Sequence, residues 1–150
     1  MSLASNKASY LISDGLGPLI KSELLNDVRQ SGNPYTIGFD EIPNVQYHNQ
    51  LELNVRFWSE KRQEVMIHYL STFMLGHTQA DKVESAVVSE IDADQLRMKE
   101  LLTLSRDGPN VTKKVFRLLS DRLKGSSGYG FVDIGSCNLH VMHNAFLKGL

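Results

Sequence analysis

The feature that most limits what this chain can become is an alternation, in which Leu51, Leu53, Val55 and Phe57 are interleaved with Glu52, Asn54, Arg56 and Trp58. A period of two belongs to a strand buried on one face, because successive side chains of extended backbone point to opposite sides. The charged stretch Ser59-Glu60-Lys61-Arg62-Gln63 then reads as a hairpin loop, and Glu64 to Met74 as the returning strand. Upstream, Tyr35, Ile37 and Phe39 alternate with Thr36, Gly38 and Asp40, and Pro43 closes that strand. A polar turn, Asn44 to Asn49, joins the two. Residues 35–74 are therefore expected to form an antiparallel meander of three strands.

Helical spacing takes over on either side. Leu19, Ile20, Leu24, Leu25 and Val28 predict a helix over Pro18 to Gln30, with Pro18 suited to the first turn and Ser31-Gly32-Asn33-Pro34 as the stop. Thr78-Gln79-Ala80-Asp81 has the form of a capping box with Asp in place of Glu, and Val83, Ala86, Val87, Glu90 and Ile91 follow at helical spacing. Leu101 to Leu104 is a short fourth strand. Val111 to Leu123 is the next helix, with Val115, Leu118, Leu119 and Leu123 on its buried side. Gly125 to Gly130 reads as a flexible linker, Phe131 to Gly135 as a last strand, and Cys137 to Leu147 as a last helix.

The order β-β-β-α-β-α-β-α predicts an α/β fold, an α+β mixed sheet covered by helices. Residues 1–17 are expected to be a disordered N-terminal segment and residues 18–150 one domain. The chain stops at Leu150 inside its last predicted helix, so it reads as an incomplete fragment, truncated at the C-terminal end of that domain.

Length and composition exclude several classes. With 150 residues, 41% of them hydrophobic, the chain is long enough to bury a real core. No apolar run is long enough to cross a bilayer, which predicts no membrane partner, and the first residues lack the pattern of a signal peptide. Cys137 is the single cysteine, so no intrachain disulfide can form, which fits a reducing, intracellular compartment. A net charge of -1 provides no basic footprint for gripping nucleic acid unaided.

The chemistry points to carboxylates. Asp40 ends the first strand and Asp107 follows the fourth, and a meander followed by a right-handed crossover sets these two strands side by side. The pair could then share a divalent cation such as Mg2+ or Mn2+, with Glu41 and Asp133 as accessory carboxylates. The plainer reading stands beside it. Asp107-Gly108-Pro109-Asn110 also suits a helix cap or a type I turn, and Asp40-Glu41 before a proline suits a solvated strand end.

Cys137, His140 and His143 form C-x2-H-x2-H, which invites zinc. Structural zinc takes four ligands, no fourth is evident, and His-x2-His is tighter than the usual spacing, so helix packing with satisfied imidazoles is the simpler account. Trp58 and Tyr69 suit base stacking or sheet-face packing.

At these same residues the sequence resembles a known family. Phe39-Asp40-Glu41 with Asn44-Val45-Gln46 and Gln50-Leu51 is similar to the first catalytic block of hAT-superfamily transposases and their domesticated animal relatives. Ser105-Arg106-Asp107-Gly108-Pro109-Asn110-Val111 resembles the second block. The run from Ile134 to Phe146, with its Cys-x-x-His, resembles the third. The resemblance implies a ribonuclease-H-like fold and a role for Asp40 and Asp107 as the first two members of an Asp-Asp-Glu triad for metal-dependent DNA strand cleavage and transfer. The family's Glu lies downstream of the third block, so the fragment itself is expected to be inactive. Ile42-Pro43 departs from the family, which has Thr or Ser followed by a polar residue at these positions.

A nuclear location, DNA contacts through modules outside this stretch and homo-oligomerisation of the parent protein are implied in the same way. The alternative within the family is a domesticated scaffold that kept the fold, binds DNA or protein partners and lost the reaction.

Overall fold

The computed structural model describes residues 5–43, 49–74, 79–105, 110–135 and 145–146. Three strands, β1 (Tyr35–Pro43), β2 (Asn49–Ser59) and β3 (Glu64–Met74), form the expected meander, and β4 (Leu101–Ser105) joins it after a helical crossover. The sheet order is β3-β2-β1-β4, with β1 antiparallel to β2 and parallel to β4. The fold is thus a mixed four-stranded sheet with helices, as the alternation and the helical spacing together require.

The helices are α1 (Ser5–Tyr10), α2 (Gly17–Ser31), α3 (Ala80–Ala93) and α4 (Asn110–Ser127), and Met98–Glu100 makes one 3-10 turn before β4. A π-helical stretch, Leu11–Leu16, joins α1 to α2. Pro18 sits in the first turn of α2, where its missing N–H is not needed, and Gly32 ends the helix with φ +61°, a left-handed conformation that other residues adopt at a cost.

One face of the sheet is buried. Ile37, Leu53, Val55 and Leu104 meet Leu25 and Val28 of α2, Val83, Val87 and Ile91 of α3, and Val115 and Leu119 of α4 in a single core. A bulge between Leu53 and Asn54 lets β3 contribute one extra residue, Leu70, which is buried in that core. Each fully buried aliphatic side chain contributes about 1.5–3 kcal/mol.

Ion pairs tie the helices over this core. Lys21 Nζ of α2 reaches Glu90 Oε1 at 2.7 Å and Asp94 Oδ1, at the C-terminal end of α3, at 3.0 Å. Arg122 Nε of α4 donates to Glu84 Oε1 of α3 at 2.7 Å.

Several expectations need correction. Residues 5–17 are helical rather than disordered, although Tyr10, Leu11, Ile12 and Leu16 are exposed and add nothing to the core. The linker proposed over Gly125–Gly130 begins later, because α4 continues through Ser127 and stops at Gly128, whose φ is +81°. The Ser126 and Ser127 hydroxyls both donate to the Leu123 carbonyl, at 3.1 and 2.7 Å, within the last turn of the helix. Phe131–Gly135 is not a laddered strand. It runs beside β4 with one backbone bond, from Val132 N–H to Leu102 O at 3.0 Å, and Phe131 packs on Phe116. Gln79, not Thr78, is the N-cap of α3, and Thr78 lies outside the described residues, as does most of the predicted last helix.

Candidate metal centre at the carboxyl ends of the central strands

Because β1 and β4 are parallel neighbours, their carboxyl ends emerge on the same edge of the sheet. Along β1 the core takes Tyr35 and Ile37, which leaves Thr36, Gly38 and Asp40 on the opposite face. Asp40 is exposed there, and among the described residues no hydrogen bond or ion pair holds its carboxylate.

Its direct neighbour across the antiparallel pair is Glu52 of β2. Directly opposed side chains on one face have Cβ atoms about 4.5–5.5 Å apart, and like charges so placed repel. Glu52 accepts one hydrogen bond, from Gln50 Nε2 at 3.2 Å, which does not neutralise it. Two carboxylates side by side on one face of the sheet, with no cation between them among the described residues, are hard oxygen donors of the kind that Mg2+ or Mn2+ takes. Among the described residues, though, no group of three or more His, Cys, Asp or Glu gathers to complete such a site.

The fourth strand approaches from the other side. Its register with β1 pairs Ile37 with Leu104 and Gly38 with Ser105. Asp107 follows Ser105 by two residues, as Asp40 follows Gly38, but Asp107 itself lies outside the described residues. So do Cys137, His140 and His143.

The accessory carboxylates occupy other backbone positions. Glu41 is paired with the core residue Leu51, one register step away from the acidic pair. Asp133 is exposed, and its Oδ1 accepts the N–H of Gly135 at 2.9 Å, a local turn that any surface Asp can make. Sequence reasoning missed Glu52, although the signal was present. Consecutive antiparallel strands pair residues symmetrically about the segment between them, and this symmetry sets 52 opposite 40.

Trp58 and Tyr69 both stand on the open face of the sheet, and neither belongs to the core. Comparison of the chain with protein-family models, with curated proteins and with solved structures found no match to any of them.

Proposed function

We propose that this chain is part of a ribonuclease-H-like domain of an hAT-transposase-like protein whose parent cleaves and joins DNA strands with the help of divalent metal. The observation that carries the reading is the register of β1 with β4. It pairs Gly38 with Ser105 on adjacent parallel strands, and Asp40 and Asp107 each follow two residues later in the sequence, which supports placing both in one site. The sheet order β3-β2-β1-β4, with a parallel fourth strand, supports the same fold assignment.

In this reading Asp40 and Asp107 hold Mg2+ or Mn2+, and Glu52 adds negative charge at the rim. A metal held there would activate a water or a DNA 3′ hydroxyl as the nucleophile and would stabilise the leaving oxygen. The third carboxylate comes from a segment after residue 150, and DNA is gripped by other modules in the nucleus. This division of labour agrees with a chain whose net charge is -1.

A second reading, the domesticated scaffold, draws on the exposed Val65, Ile67 and Tyr69, which suit contact with another molecule. The two readings part on one experiment. In the parent protein, Asp40→Asn is expected to lower Mg2+-dependent nicking of supercoiled DNA by at least 100-fold. Undiminished nicking removes Asp40 from the chemistry, and a parent that never nicks DNA favours the scaffold.

A further inference from the structure

The open face of the sheet holds a trough of about 570 Å3, within the range of roughly 300–1,000 Å3 typical of small-molecule sites. It lies toward the end of the sheet away from Asp40, and none of its lining residues is acidic.

The register explains its chemistry. Thr36 of β1 is paired with Arg56 of β2 on one side and Thr103 of β4 on the other, so these three residues form a row across adjacent strands. The next row is Asn54, Gly38 and Ser105. Gly38 has no side chain to fill the floor, and a Cβ built there would meet only Ser105 Cβ at 3.7 Å and the Asn54 carbonyl at 4.0 Å. Around this polar strip stand Trp58, Val65, Ile67 and Leu102, large apolar groups left exposed to solvent.

Two polar groups in the trough lack partners. Arg56 is exposed, and among the described residues no carboxylate or hydrogen-bond acceptor engages its guanidinium. Thr103 is only 2% exposed, yet its Oγ1 has no hydrogen-bond partner among the described residues. A buried hydroxyl left unpaired costs free energy, and an acceptor arriving in the trough offsets that cost. A lone cation, a buried donor and apolar walls together select an anion that carries an apolar body.

We propose that this trough binds a small organic anion, a carboxylate on an apolar body. Arg56 pairs with the carboxylate, the Thr103 hydroxyl donates to it across Thr36 and beside the bare floor at Gly38, and the body lies against Trp58, Val65 and Ile67. The site uses none of the residues assigned to the metal centre and stands or falls separately from it.

The test uses the 150-residue chain, the fluorescent aromatic anion 1-anilinonaphthalene-8-sulfonate as probe, and decanoate and decanol as competitors of equal chain length. The expected result is saturable binding of one dye per chain, with decanoate displacing it at least tenfold more tightly than decanol. Arg56→Met should abolish that preference while leaving decanol unchanged. Gly38→Val places a side chain on the floor without a close backbone contact, so it should keep the unfolding transition and lose the dye and both competitors. Equal displacement by decanoate and decanol, a preference that survives Arg56→Met, unchanged binding to Gly38→Val, or dye uptake that never saturates would each overturn the proposal.

Discussion

The two faces of this sheet are made from the same strands and have opposite fates. On one face Ile37, Leu53, Val55 and Leu104 are fully covered by three helices. On the other, one residue along each strand, Thr36, Arg56, Trp58 and Ile67 look out to solvent or into a trough. The difference shows that alternation alone does not say what an outward-facing residue is for. Inward positions carry stability, whereas outward positions are released from packing and can carry charge and apolar surface for contact with other molecules.

Substitution should separate the faces sharply. Leu53→Ala, on the covered face, is expected to cost about 2–5 kcal/mol, whereas Ile67→Ala, two-thirds exposed on the open face, should cost no more than about 1 kcal/mol. Urea unfolding of both variants measures this, and equal losses would mean that the open face is packed in solution. A smaller effect is expected where the helices lock over the core. Glu84→Ala removes the acceptor of Arg122, and because the guanidinium is half exposed the loss should be about 1 kcal/mol in the same assay.

Asp94 provides a pH signature confined to the covered side. Burial raises its pKa, the neighbouring Glu90 raises it further, and the hydrogen bond from Lys21 opposes this without cancelling it. A carboxyl whose pKa is higher in the folded than in the unfolded chain favours folding at low pH, and that contribution fades as pH rises through its folded pKa. Wild-type protein should thus lose some stability just above the ordinary carboxylate range, and Asp94→Asn should flatten that part of the profile. Lys21 behaves differently. Burial lowers its pKa, but hydrogen bonds to Glu90 and Asp94 and their charges outweigh burial and leave it above the usual lysine value. Its contribution persists through neutral pH and is lost only in strong alkali.

The smallest effect belongs to the open face. Asp40→Asn relieves the repulsion with Glu52 and should raise stability by about a few tenths of a kcal/mol, readable as a small upward shift in thermal midpoint. A marked loss would mean that Asp40 is held by a partner and is not free to take a metal.

Much of the scaffold was legible because its determinants are local. The charged hairpin loop after the β2 alternation marked Glu64–Met74 as the returning strand to its bounds, and Pro18 with Gly32 bracketed α2 closely. The failures have equally physical causes. Gly125 looked like a linker because glycine weakens helices, but one glycine costs only about 1 kcal/mol relative to alanine. The serine hydroxyls that follow it turn back onto the Leu123 carbonyl within the last helical turn. Phe131–Gly135 has a strand's composition but makes a single bond to β4, since ladder formation depends on a neighbour that sequence periodicity does not report. Asp40 was legible as a candidate and Glu52 was not, because the pairing of two carboxylates belongs to register rather than to either strand. The trough was invisible for the same reason, since Arg56, Thr36 and Thr103 become a row only when three strands align.

The proposed sharing of one metal ion by Asp40 and Asp107 is tested most directly by a Mn2+ titration followed by paramagnetic broadening in NMR, with Asp40→Asn and Asp107→Asn as controls. Broadening centred on both aspartates and lost in either variant is the predicted result. Broadening absent, or centred elsewhere, or unchanged by the substitutions, would contradict it.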